Sequence, residues 1–314
     1  MHGDPDRDEA LDDQSAIFRV VDALLARQGG GILCEQSGMG LRDRVRWTYP
    51  GRVAAAFAVQ RLGREAAADA EASALVRTAE AQAAGCAARG ATPDWPVDLA
   101  SPYPHLVDSI RRAVRQLPDP DRTSRPALWE ESDRAVFRAA AGLLGAYWPA
   151  MRDELAVTVR QIALLSGPGI NGYTDFTVHG AIFVSRARLT DADGLPAHVR
   201  LAESLVHEGT HTRCNAAAAR EPFLLDGEDV ARLRVATPLR ADARPLAGLF
   251  QQLVVLVRCT RLYDRVRDVP GLDDNAVRRR RERLAAQSRQ AADALESHRS
   301  LLSPHGTAVL DALS

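Results

Sequence analysis

His207, Glu208 and His211 stand in the pattern H-E-x-x-H, within the stretch AESLVHEGTHTRCNAAA at residues 202–218. On a helix, positions four apart share one face, a turn from each other. Two imidazoles so placed can reach one metal ion together, and the carboxylate beside the first can touch a water on that ion. Two histidines do not complete a site. A zinc peptidase adds a third ligand downstream and leaves a position for the water that Glu208 would deprotonate. An iron oxygenase needs two His and a carboxylate on one face, with positions left for 2-oxoglutarate and oxygen. The downstream acids are Glu221, Asp226, Glu228, Asp229 and Asp242. Glu228 and Asp242 are the candidates for the third ligand, although spacing singles out neither.

A helix must hold the pair. Leu201, Leu205 and Val206 give residues 199–220 an apolar side, Ala202 and Ala216 to Ala218 favour helix, and no Pro interrupts. Two strands are expected before it. Residues 161–166, QIALLS, form an apolar run closed by the turn GPGING, and residues 181–185, AIFVS, are strand formers. A strand just ahead of such a helix can offer an edge to an extended peptide. Ala181, Ile182, Phe183, Val184 and Ser185 are therefore the expected substrate-binding segment. His179, before a Gly, reads as a turn or surface residue.

The remaining pattern is helical. Periodic apolar residues mark helices at 14–28, 51–90 (one or two), 106–117, 127–150 with a joint at Trp148-Pro149, 151–160, 245–264 and 272–302. Residues 1–13 are acidic and polar and read as frayed. Gly90 and the Pro-rich ATPDWPVDLASPYP are the candidate boundary between an N-terminal helical region, 1–100, and a metal-binding core with C-terminal helices, 101–314. Arg278 to Arg281 point around a polar helix and read as a solvated face.

The chain of 314 residues is 46% hydrophobic and 26% charged, with a net charge of −1. That balance is globular and offers no global field for nucleic acid or an acidic membrane. All 40 basic side chains are Arg. Cys34, Cys86, Cys214 and Cys259 form no C-x-x-C and sit at no zinc-finger spacing, which suggests reduced thiols in a cytoplasmic protein. Cys214 reads as a small buried thiol. No signal-like or membrane-spanning run is visible.

LAESLVHEGTHTRCNAAAAREPFLL, followed by ATPLRADARPLAGLFQQLVVLVRCTRLYDR, resembles a family of H-E-x-x-H peptide-modification proteins. Its members include iron- and 2-oxoglutarate-dependent peptide β-hydroxylases that tailor ribosomally made peptides. The family pairs LAExLVHExxH with a later SPWRxDxRPLxGxLHG and an apolar helix, and the resemblance covers roughly residues 130–265. It takes in Asp242, Arg244, Pro245, Leu246 and Gly248. Where the pattern has His after the RPL turn, this chain has Gln251, and Thr237-Pro238-Leu239 stands in place of Ser-Pro-Trp.

The resemblance implies iron(II) on His207 and His211, with Gln251, Asp242 or Glu228 as a further ligand. Glu208 would be a ligand or would orient His or water. Arg244, or Arg240, would clamp the carboxylate of 2-oxoglutarate. The substrate would be a peptide carrying a leader segment. The expected fold is α+β and predominantly helical, with a small sheet packed beside the metal helix in a metalloprotease-like core. The alternatives are a zinc peptidase, and a peptide-binding partner that keeps the fold without catalysis, which the Gln251 departure favours. Oligomeric state is not readable from the sequence.

Overall fold

The computed structural model describes the chain apart from residues 2, 34–38, 63–65, 89–94, 101, 118, 120–122, 238–239 and 314. The side chains of residues 66–69, 88, 100, 237 and 240–242 also lie outside the described residues. Cys34, Pro238, Leu239 and the start of the Pro-rich break after Gly90 thus fall outside, as do the side chains of Arg240 and Asp242. The elements run α1 (Arg7–Ala26), α2 (Leu41–Trp47), α3 (Pro50–Leu62), α4 (Ala66–Ala88), β1 (Asp98–Ala100), α5 (Pro104–Val114), β2 (Arg125–Ala127), α6 (Glu131–Tyr147) and α7 (Pro149–Thr158). They continue with β3 (Gln161–Ser166), β4 (Gly172–Thr174), β5 (Ala181–Ser185), α8 (Ala197–Arg220), α9 (Glu228–Arg232), β6 (Arg234–Thr237), β7 (Arg240–Pro245), α10 (Leu246–Val266), α11 (Asp274–Glu296) and α12 (Pro304–Leu313). The fold is α+β and predominantly helical, with a small mixed sheet.

Contacts group the chain into two compact units. One comprises residues 11–134 and 156–187, the other residues 1–10, 135–155 and 188–314. This grouping differs from a single cut near residue 100, because β1, which ends there, pairs in parallel with β3 some sixty residues later.

The first unit holds the sheet, in the order β1-β3-β5-β4, with β2 on β3. Leu165, Ala163, Phe183 and Ala181 face Leu106 and Ile110 of α5 in one apolar cluster. The whole of β5 is buried, on both faces. Its two hydrogen-bonding edges are taken, one by β3 in parallel and one by β4 in antiparallel register. A peptide cannot add to it as a strand, so Ala181 to Ser185 are not a substrate edge. Alternation alone cannot tell a central strand from an edge strand.

Two buried polar centres hold this unit. Arg52 is fully buried and binds Asp22, at 2.6 Å, and Glu80, at 2.9 Å. Asp22 also accepts from the Trp47 indole. His179, expected at the surface, is buried. Its Nε2 lies 2.6 Å from Gln14 Oε1, and its ring sits between Phe18 and Phe176. The turn itself is as expected: Gly180 follows with φ +90°, a conformation that glycine adopts without steric cost.

In the second unit the described residues at the N-terminus are held by ion pairs and hydrogen bonds, not frayed. The Met1 amine pairs with Glu9 at 2.8 Å, and Glu9 accepts from buried Arg213. Asp6 donates its backbone N–H to Glu154, which holds fully buried Arg258. These acids looked like a solvated tail because their partners lie some 150–250 residues away. Helix α10 packs along both α8 and α11. Among the described residues no helix is long and apolar enough to cross a membrane.

The burial of His179 lowers its pKa to about 3. The unfolded chain therefore takes up this proton first, so the stabilisation is complete above pH ~6.5 and is lost as pH falls toward 3. The expected slope is ~1.4 kcal/mol per pH unit from this group. Urea unfolding at about pH 7 and about pH 5 should show a smaller acid loss in His179→Gln than in the parent. Equal losses would show that His179 is not proton-linked to folding.

Candidate metal centre

Helix α8 starts after Pro196 and stops at Glu221, whose extended backbone (φ −144°, ψ 106°) is what the following Pro222 demands. Most of its residues are buried, from Val199 to Ala217, so it is enclosed by apolar packing and not laid on a surface. His207 and His211 keep some exposure. The His207 side chain is 32% exposed, which leaves it reachable by an ion from solvent.

The two imidazoles lie with ring centroids 5.2 Å apart at 63°. Two Nε2 ligands on one tetrahedral ion at ~2.0–2.1 Å place their rings roughly 5 Å apart, so the pair fits a shared ion. His211 Nδ1 is 3.0 Å from Gln251 Oε1 on α10. Gln251 Nε2 in turn donates to Asn215 Oδ1 at 2.9 Å. That second bond orients the amide, so Oε1 faces the imidazole and Nδ1 carries the proton. The lone pair of His211 is then on Nε2. Glu208 Oε1 lies 3.9 Å from His207 Nε2, which puts the buried carboxylate on the same side as that nitrogen.

Partial burial lowers the pKa of His207, with the neighbouring His211 adding to the effect. Burial also lowers that of His211, against the opposing hydrogen bond to Gln251. Both rings are neutral at pH 7, the state a metal ligand must have.

One turn before His207, Glu203 is buried and accepts from Arg280 Nε at 2.9 Å and from Arg188 Nη2 at 3.1 Å. The Tyr263 hydroxyl donates to it at 2.6 Å. Burial alone would raise this carboxyl, but Arg280 first, then Arg188 and Tyr263, hold it down at about 2. Glu203, His207, His211 and Asn215 thus follow one another at four-residue steps. The i−4 position of Glu203 was a readable signal. Arg280 was hidden in a run of arginines that reads as solvated, and Arg188 in a loop.

The other sequence candidates are placed as follows. Gln251 turns its oxygen to His211 Nδ1, the nitrogen opposite Nε2, and so orients that imidazole. Glu228 is on the short exposed α9, 82% exposed and paired with Arg232 at 2.9 Å, so it belongs to solvent and not to the histidines. Arg244 lies half-buried on β7, paired with Val235 of β6. β6 and β7 pair in antiparallel register with an irregularity between Val235 and Thr237. Arg240 and Asp242 are on β7, with side chains outside the described residues. Cys214 is fully buried, and burial pushes its thiol up to about 12, so it is an inert core thiol. Among the described residues no group of three His, Cys, Asp or Glu converges to hold an ion. Compared with known proteins, the chain matches no family model and no curated protein.

Because Gln251 fixes the tautomer of His211, Gln251→Ala should weaken metal binding by roughly 10- to 100-fold, the usual cost of losing a partner that orients a ligand. His211→Ala should abolish it. Competition with a chromophoric chelator for zinc measures both. Unchanged affinity in Gln251→Ala would mean that His211 binds no ion through Nε2.

Proposed function

We propose that this chain is an iron(II)- and 2-oxoglutarate-dependent oxygenase that hydroxylates a peptide at an unactivated carbon. The observation that carries the reading is the pair of imidazoles on buried α8, 5.2 Å apart, with His211 anchored through Nδ1 so that Gln251 leaves its Nε2 unengaged. The resemblance of residues 201–225 and 236–265 to the family that includes the peptide β-hydroxylases supports the choice of reaction. Iron, when bound, would supply the oxygen activation that no side chain here can perform.

The chain's own residues have separate tasks in this reading. His207 and His211 hold the ion. Gln251 and Asn215 fix the orientation of His211. Glu208, buried beside His207 Nε2, is either a further ligand or the group that holds a ligand in place. Burial of most of α8 keeps bulk water from much of its surface. The substrate peptide must lie elsewhere than on β5, which has no free edge.

The position of Glu208 also favours a second reading, a zinc peptidase. A carboxylate 3.9 Å from His207 Nε2 is placed to take a proton from a water. The two readings separate cleanly. Protein loaded with iron(II) without oxygen, then exposed to air with 2-oxoglutarate, should release succinate, and His207→Ala should release none. Peptide cleavage by zinc-loaded protein, indifferent to 2-oxoglutarate and lost in Glu208→Gln, would replace the oxygenase with the peptidase.

A further inference from the structure

In the first unit, helices α3, α4 and α5 and the 3₁₀ turn Phe176–Val178 line an open-mouthed cavity of about 180 Å³. Small residues make the space. Ala54 and Ala58 on α3 and Ala79 on α4 stand where larger side chains would close the gap. Phe57, Leu75 and Val178 add apolar wall. Leu75 is 37% exposed, which is apolar surface that an occupant would cover. An apolar cavity of about 150 Å³ holds one benzene ring, so there is room here for a single ring with a short substituent.

The polar lining narrows the occupant further. Asp98 Oδ2 accepts from Gln161 Nε2 at 3.2 Å, which turns Gln161 Oε1 to His105 Nε2, 2.8 Å away. Nε2 of His105 therefore carries the proton, and the lone pair is on Nδ1. That nitrogen has no hydrogen-bond partner among the described residues. Tyr103 stacks on the imidazole and Tyr49 meets its edge, so the ring is held in place at the cavity wall. Burial lowers the pKa of His105 against the opposing Gln161 bond, which keeps the ring neutral at pH 7 and able to accept. Of the charges on the lining, Arg112 is matched by Asp175 and Asp108 by Arg111, both at 2.8 Å. Arg61 pairs with no acid among the described residues. The lining thus combines apolar walls, one acceptor and one unmatched cation.

We propose that this cavity binds a small single-ring aromatic carboxylate that carries a hydroxyl on the ring. The ring fills the space beside Ala58, Leu75 and Val178, the hydroxyl donates to His105 Nδ1, and Arg61 faces the carboxylate. The site belongs to the first unit and does not rest on the oxygenase reading.

Calorimetric titration of the full chain with 4-hydroxyphenylacetate and with phenylacetate tests the site. A chelator is present, so that no ion on His207 and His211 can capture the carboxylate. The parent should bind 4-hydroxyphenylacetate about tenfold more tightly than phenylacetate, the share of one hydrogen bond. His105→Phe keeps an aromatic ring and should erase that preference, binding both alike. Arg61→Gln should weaken both by a few-fold, as expected for an exposed charge. Ala58→Leu fills the space and should bind neither, with thermal melting to confirm that each variant is folded. Ala58 lies apart from the Asp98, Gln161 and His105 bonds, so this variant decides the site even where His105→Phe does not fold. No binding of 4-hydroxyphenylacetate by the parent would overturn the site. So would parent-like binding by folded Ala58→Leu, or a hydroxyl preference that survives in folded His105→Phe.

Discussion

The hydrogen bond between His211 Nδ1 and Gln251 Oε1 decides which imidazole nitrogen is left for an ion. Everything around it serves to hold that bond. Asn215 fixes the amide from the far side, one turn along α8. The apolar face of α10, with Leu249, Leu253 and Leu256 fully or nearly fully buried, keeps Gln251 at one height against α8. Gln251 brings an orienting group to this place on α10, which leaves Nε2 of His211 as the nitrogen that Gln251 does not engage.

Buried charge is the second organising feature. Removing an ion from water costs several kcal/mol, and a pair recovers this only with good geometry and further hydrogen bonds. In the second unit, Glu154 meets that condition by binding Arg258 through both oxygens. In the first unit, Arg52 meets it with two acids and two carbonyls. Glu203, one turn before His207, meets it with Arg188, Arg280 and the Tyr263 hydroxyl.

The sequence made local elements legible and long-range pairings illegible. Helix α8, helix α10 and the strands β3 and β5 follow from periodicity, and all four are present. The histidine pair follows from spacing alone. By contrast, β5 reads as an available edge, but β4 is a three-residue strand too short to announce itself, and it covers that edge. His179 reads as surface because nothing near it in sequence shows Gln14 and Phe18 closing over it. Arg280 reads as one of four solvated arginines, yet its partner lies 77 residues upstream. Local pattern reports propensity and faces. It does not report which distant group satisfies a charge.

The central claim is that His207 and His211 present Nε2 to one ion while Gln251 keeps Nδ1 of His211. A crystal structure of the iron(II)-loaded protein, prepared without oxygen and phased at the iron absorption edge, tests it most directly. The account predicts one anomalous peak at roughly 2.0–2.2 Å from both Nε2 atoms, with the Gln251 contact to Nδ1 intact. A peak bound through Nδ1 of His211, or one that misses either histidine, would contradict it.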